Sequence, residues 1–268
     1  MGDIFEQKDA SFLQLTSWQQ LQPRLRVGFT TRRAGYSQGV FTSMNMGLHV
    51  ADHQEHVLQN RRKLANSLGL ALDTWVAGEQ THGVRVKVVG DEDKGKGATT
   101  VETTLKDTDG LMTNQTGILC TAFYADCTPI FFFDPPTGYI GIAHAGWKGT
   151  VGNIAGEMVA TLQEKGVDPS TIKVAIGPCI TKPHYRVDNH VISHLSESEK
   201  QKTTEKMGEN QYLLDLKALN VENLLQTGVL RHNIDITSFC TFADHDLFFS
   251  HRRDQGQTGR MLGFIGYI

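Results

Sequence analysis

The stretch from Ala125 to Thr150, ADCTPIFFFDPPTGYIGIAHAGWKGT, constrains this chain more than any other. Two apolar segments, Pro129 to Phe133 and Tyr139 to Ala143, are joined by Asp134-Pro135-Pro136-Thr137-Gly138, a turn composition that returns the second segment alongside the first. Cys127 stands before the first segment and His144 closes the second, so both belong at the same end of a sheet. Gly146-Trp147-Lys148-Gly149 then leads into a helical pattern, and its N–H groups could hold an anion. Upstream, Gln80-Thr81-His82-Gly83 places another histidine between two strand-like segments. His82, Cys127 and His144 therefore offer zinc three ligands and leave a fourth position open, which is the arrangement of catalytic rather than structural zinc.

The rest of the chain reads as alternating strands and helices. Leu25 to Thr30 is strand-like, and Asp52 to Leu70 carries Val57, Leu64 and Leu68 along one helical face. Trp75 to Glu79 and Val84 to Val89 read as short strands on either side of His82. Residues 90–107 are polar and glycine-rich, which predicts a mobile surface loop rather than a domain linker. Ile118 to Tyr124 is a further strand. Val151 to Lys165 has helical periodicity and ends at Gly166 before the strand Ile172 to Ile176, giving a β-α-β unit. Ser196 to Asn210 is polar, an exposed helix or loop, whereas Leu216 to Gln226 is helical and Ile234 to Phe239 and Met261 to Ile268 are strands. Roughly eight or nine strands with interspersed helices predict a single α/β (α+β) domain over 1–268, with mixed sheets in more than one layer.

Charge and cysteine usage exclude several classes. A net charge of -3 with scattered Lys and Arg gives no footprint for nucleic acid or an anionic membrane. The N-terminal residues lack the basic and apolar regions of a signal peptide, and no run approaches the roughly 18 apolar residues of a membrane span, so a cytoplasmic protein acting on small solutes is expected. Cys120, Cys127, Cys179 and Cys240 form no C-x-x-C pair, which argues against a disulfide framework. Cys120 and Cys240 read as buried strand cysteines, and Cys179 as a turn residue near a strand end. His53 with His56, and His190 with His194, read as solvated helix faces.

Further motifs run in order along the chain: Thr30-Thr31-Arg32, Ser43-Met44-Asn45-Met46-Gly47, Asn60-Arg61, Asp109-Gly110, Ile176-Gly177-Pro178-Cys179-Ile180, Ser250-His251-Arg252-Arg253 and Thr258-Gly259-Arg260. Together with Gln80–Gly83, Ala125–Pro129 and Ala143–Gly149 they resemble, nearly end to end, the laccase-domain (YfiH/YlmD-type) multicopper polyphenol oxidase family, which is associated with purine nucleoside phosphorylase and adenosine deaminase activity. The resemblance implies an α/β/β/α layered sandwich and a zinc site at His82, Cys127 and His144. It also implies purine nucleosides and phosphate as substrates. Two departures stand out: Ala34 replaces the first glycine of the family's TTR-x-GG-x-S pattern, and His251 stands where an aromatic residue is usual.

Each implied reaction makes its own demand. Deamination of adenosine needs an activated water, which a zinc site supplies by lowering the water's pKa towards ~7, and an acid/base group, for which Asp126 is a weak candidate. Phosphorolysis of a nucleoside needs an oxyanion held beside the sugar, and Arg32, Asn45, Arg61, Lys148 and Arg253 are the candidates for that part, with Arg61 joining Cys127 and His144 in the catalytic set. Multicopper reduction of dioxygen uses about ten histidines, largely in His-x-His pairs; this chain has 11 histidines and no such pair. Copper could occupy the same three ligands in vitro, which makes polyphenol oxidation a secondary expectation. Two other readings stay open: a thiol hydrolase or deamidase using Cys127 and His144, an arrangement echoed in the deamidating domain of the cytotoxic necrotizing factor toxins, and a metal-dependent binding module.

Overall fold

Along Thr128–Phe133, Ile130 and Phe132 point one way, Phe131 and Phe133 the other, and all four are buried. Such a strand needs cover on both faces, and the whole architecture follows from supplying it. The computed structural model describes residues 2–268. Its strands are β1 (Glu6–Asp9), β2 (Phe12–Gln14), β3 (Leu25–Thr30), β4 (Trp75–Ala77), β5 (Val86–Val88), β6 (Gly110–Thr113), β7 (Ile118–Tyr124) and β8 (Thr128–Phe133), then β9 (Ile140–Ala145), β10 (Lys173–Ile176), β11 (Arg186–Val187), β12 (Thr204–Gly208), β13 (Gln211–Leu214), β14 (Ile234–Ile236) and β15 (Met261–Tyr267). The helices are α1 (Thr16–Leu21), α2 (Gln54–Leu68), α3 (Trp147–Val151), α4 (Ile154–Glu164), α5 (Asn189–Ile192), α6 (Glu197–Thr203) and α7 (Leu216–Gln226).

Two mixed six-stranded sheets form, in the orders β1-β2-β3-β15-β7-β4 and β14-β10-β8-β9-β6-β5. Between them lie Cys120, Ala122 and Tyr124 of β7, Phe131 and Phe133 of β8, Ile140 and Ile142 of β9, and Met261 and Ile265 of β15. The alternate residues Leu119, Phe123, Leu262 and Phe264 pack outward on Leu64 and Leu68 of α2. On the far side Ile130, Phe132, Val174 and Ile176 meet Met158 and Leu162 of α4 and Leu224 of α7. The layers therefore run helix, sheet, sheet, helix, with each buried Phe or Leu side chain worth about 1.5–3 kcal/mol. No helix among the described residues is long and apolar enough to cross a membrane.

Several elements differ from the sequence reading. The helix expected over Val151 to Lys165 is two, α3 and α4, because Gly152 and a left-handed Asn153 (φ 66°) break it, and the Asn153 side chain then caps α4. Ser196 to Asn210 is a helix followed by a strand, α6 and the whole of β12, the strand belonging to a small antiparallel sheet ordered β11-β13-β12. Cys240 is buried but lies outside the named strands; its backbone forms an isolated parallel β-bridge with Cys179, and both thiols are free. Residues 90–107 contain no strand, yet they are tied to the first sheet rather than left as a free surface loop. The carbonyl of Lys96 accepts from the Ala77 N–H, Leu105 exchanges bonds with Ala77 and Glu79, and fully buried Asp93 takes both Lys87 and Lys96.

Two crossings between the sheets position the site. After β4 the chain leaves the first sheet and joins the second at β5, and after β7 it does so again at β8. A left-handed non-glycine residue sits at each crossing, His82 (φ 62°) and Asp126 (φ 94°).

Candidate metal centre

His82 comes from the first crossing, Cys127 from the second, and His144 from the end of β9, where Pro129 of β8 pairs with it directly. One donor atom from each lies within 4.8 Å of the others. The two imidazoles meet edge to face, 4.8 Å between centroids. Among the described residues no other group of three His, Cys, Asp or Glu side chains is close enough to share an ion.

Asp109 organises the group. Its carboxylate accepts the backbone N–H groups of Thr81 (3.1 Å), His82 (3.1 Å) and Gly83 (2.9 Å), which fixes the turn that presents His82. The same carboxylate lies 2.8 Å from His144 Nδ1, leaving Nε2 to face the other donors. Burial would raise the Asp109 carboxyl, but His144 and these N–H groups hold it below its ordinary range. Burial would likewise raise the Cys127 thiol; His144 and then His82 bring it to about 6 instead. His144 responds in the opposite sense: burial pushes it down, and the Cys127 sulfur and Asp109 raise it to about 9. The sulfur is thus disposed to the anionic form that a metal requires.

Backbone space is fitted to the same end. Gly146 has an ordinary extended conformation, but a β-carbon there would lie 2.8 Å from His82 Cδ2 and 3.0 Å from Cys127 Sγ. One thiolate and two imidazoles, held by a carboxylate behind one ring, fit a zinc ion with an open position. The three donors stand in the wall of a cavity of about 910 Å³. Phe123, Trp147 and Tyr185 give it aromatic walls, and Lys106, Lys148, Arg252 and Arg260 bring positive charge.

Of the residues singled out in the sequence, the structure brings only some together. Lys148 lines the cavity, exposed, with its ammonium 5.7 Å from the Trp147 ring centre. Arg61 adjoins the cavity behind Phe123, 1% exposed, and its guanidinium is spent on the carbonyls of Met46, Gly97 and Ala98. Arg32 belongs to a separate surface groove, bonded to the Thr42 and His245 carbonyls. Arg253 is consumed by the carbonyls of Thr241, Phe242 and Phe248 and by Asp254. Asn45 is fully buried and bonds Gly47, Asp52 and the Arg260 N–H, so it is framework rather than a ligand contact. Asp126 is no free acid or base: the Thr241 and Ser250 hydroxyls and the Arg252 N–H occupy its oxygens. Cys179 is buried away from the cavity, its thiol directed at the Ile180 carbonyl. The sequence reading overlooked His49, Tyr185 and Arg260 as lining residues, and it did not see that Asp109 serves two ligands at once. A carboxylate just ahead of the buried strand β6 was the available signal.

Comparison with known proteins establishes the family. The profile of the family described as "Multi-copper polyphenol oxidoreductase laccase" matches residues 26–268. The chain belongs to that laccase-like family. It is 43% identical, over 99% of its own length and 98% of the relative's, to the purine nucleoside phosphorylase YlmD of Geobacillus stearothermophilus. The Bacillus subtilis purine nucleoside phosphorylase YlmD is 42% identical over 96% of this chain and 94% of its own. Among solved structures, a Bacillus licheniformis protein, YfiH, superposes with a TM-score of 0.95 at 41% identity, covering 100% of both chains. The Neisseria meningitidis member is more distant, with a TM-score of 0.79 and 30% identity over 91% of this chain and 94% of that one.

Proposed function

We propose that this chain is a zinc-dependent, cytoplasmic purine nucleoside phosphorylase that cleaves adenosine, inosine and S-methyl-5'-thioadenosine with phosphate, and that it also deaminates adenosine. The observation that carries the reading is the meeting of His82, Cys127 and His144 in the wall of an aromatic cavity that also holds unpaired cations. Relatives more than 40% identical over nearly the whole chain carry the phosphorylase name. The volume suits a nucleoside, since small-molecule pockets span roughly 300–1,000 Å³.

The chain's own residues would divide the work as follows. Phe123, Trp147 and Tyr185 offer apolar faces on which a purine can lie while water is displaced. The basic residues lining the cavity favour an oxyanion beside the sugar and the charge that develops as the glycosidic bond breaks. Asp109 fixes the orientation and proton position of His144, and through the Thr81–Gly83 turn it holds exposed His82 over the buried His144. When bound, zinc supplies Lewis acidity to a water or a polar atom of the substrate.

The test is to incubate protein of known zinc content with adenosine, inosine and S-methyl-5'-thioadenosine, with and without phosphate, and to separate the products by chromatography. Hypoxanthine from inosine should require phosphate or arsenate, and inosine from adenosine should form without either. Equal hypoxanthine formation in phosphate-free buffer makes the enzyme a hydrolase and removes the phosphorylase assignment. A second reading has one observation in its favour, the Cys127–His144 pairing that favours a thiolate. It predicts a covalent adduct on Cys127 during turnover of an amide substrate, detectable by intact-protein mass spectrometry.

A further inference from the structure

Resting on the phosphorylase reading above, we propose that the phosphate site is the free edge of the Arg260 guanidinium, set in place by Asn45 and Gly47. Among the cavity cations, Lys148 is an exposed ammonium 5.7 Å from the Trp147 ring centre, a point charge without a planar fork. Arg61 and Arg253 have their donors filled by carbonyls and Asp254, and Arg32 lies in a different groove. Lys106 is paired with Glu79 at 3.3 Å. Arg252 is exposed, gives one nitrogen to the Arg186 carbonyl, and lies 5.1 Å above the Tyr185 ring. Arg260 alone among the cavity arginines is partly buried with its fork open. Its Nη1 donates to the carbonyls of Thr258 (2.8 Å) and Gly259 (3.0 Å), while Nε and Nη2 have no protein acceptor among the described residues, and no carboxylate pairs with it. Two parallel N–H groups on one planar edge match two oxygens of a phosphate.

Position is fixed as strictly as the donors. The Arg260 N–H donates to Asn45 Oδ1 (2.9 Å), which also accepts the Gly47 N–H (3.0 Å), and the Arg260 carbonyl accepts the Met46 N–H (3.0 Å). The Arg260 stem then runs across Gly47, where a β-carbon would come within 2.9 Å of Arg260 Cγ and 3.2 Å of His49 Cε1. These bonds give the Asn45–Gly47 and Thr258–Arg260 motifs a shared purpose: each holds the other so that one guanidinium points into the cavity. The surroundings add to the attraction for an anion. Arg61, buried without a carboxylate partner, sits behind Phe123, its guanidinium 4.8 Å from the ring centre. His49 stands beside Arg260 as a neutral donor or acceptor, because the protein around it, and then the charges of Arg260 and Arg61, hold it far below its ordinary range.

The experiment uses zinc-loaded protein and two measurements. In the first, wild-type protein is treated with phenylglyoxal, with and without inorganic phosphate, and modified arginines are mapped by peptide mass. Phosphate should slow modification of Arg260 and leave Arg252 unaffected. In the second, Arg260→Met should raise the KM for phosphate by about tenfold or more, with Arg260→Lys intermediate, since charge survives without the fork. Zinc content and the KM for inosine should stay near wild type. An unchanged KM for phosphate in Arg260→Met overturns the assignment, as does protection of Arg252 in place of Arg260. If wild-type protein cleaves inosine without phosphate, the phosphorylase reading falls while the protection assay still decides the anion site. If the Met variant does not fold, the Lys variant and the protection assay decide it.

Discussion

Asp109 holds the first crossing from beside β6 and Asp126 sits in the second, both buried and both accepting several hydrogen bonds, yet those bonds end in different places. Every bond that Asp109's carboxylate accepts leads to the metal donors, through His144 or through the Thr81–Gly83 turn. Those of Asp126 end on Thr241, Ser250 and Arg252, in the segment that carries the lining residues His251 and Arg252, although Asp126 is the immediate neighbour of Cys127. Adjacency in sequence to a ligand therefore says little about a buried carboxylate. What its oxygens hold decides whether it tunes a site or ties down a wall.

The largest effect expected is on the donors that both crossings serve. His82→Ala, Cys127→Ala and His144→Ala should each lose bound zinc, by elemental analysis, together with about 100-fold or more of activity, because three ligands leave no redundancy. Full zinc retention in all three variants breaks the site. Next, Asp109→Asn should weaken zinc binding by about 10–100-fold in a chelator competition. Asp126→Asn should leave zinc affinity nearly unchanged and instead cost about 1–3 kcal/mol in urea unfolding. If the two variants lose zinc equally, the contrast between the carboxylates is wrong. A smaller change is expected for Gly146→Ala, whose backbone tolerates alanine but whose methyl group meets His82 and Cys127. Zinc affinity should fall by about tenfold, equivalent to ~1.4 kcal/mol of crowding, while metal-free protein melts as before. The smallest concerns a left-handed residue that serves no site. Ala34 has φ 63° on the exposed surface, which explains why glycine suits that position. Ala34→Gly should stabilise the fold by about 0.5–1 kcal/mol, the left-handed cost of alanine less the extra freedom of glycine when unfolded. A loss of stability there separates Ala34 from His82 and Asp126 in the wrong direction.

Much of this was legible in the sequence, for reasons that also mark where reading stops. β3 and β7 coincide with their apolar runs because both faces of each strand are covered, and α7 with its helical spacing because one side of it packs on the second sheet. The break between α3 and α4 was hidden because Val151, Ile154 and Met158 keep helical spacing across it. β1 and β12 escaped because the first is exposed throughout and the second nearly so, leaving no alternation to read. The three candidate donors were visible as residue types beside strands, His82 in the break between two of them and Cys127 and His144 at strand ends. The phosphate candidates were not, since an arginine's letter does not tell whether backbone carbonyls have already taken its N–H groups; Arg61 and Arg253 look no different in sequence from Arg260.

The crossings have a mechanical consequence. His82 and Cys127 hang from connections that leave the first sheet, whereas His144 is built into the second. Whatever grips all three would act as a rivet through the sandwich at one end, whereas at the other the sheets are joined by the 114–117 connection and by the Tyr267 hydroxyl, which donates to the Gly138 carbonyl. Sliding one sheet over the other would have to shear that rivet, so stripping the ion should loosen the molecule from one end only. Hydrogen exchange on metal-depleted protein would show it as fraying that starts at the Gln80–Gly83 and Ala125–Cys127 connections and fades towards the opposite rim.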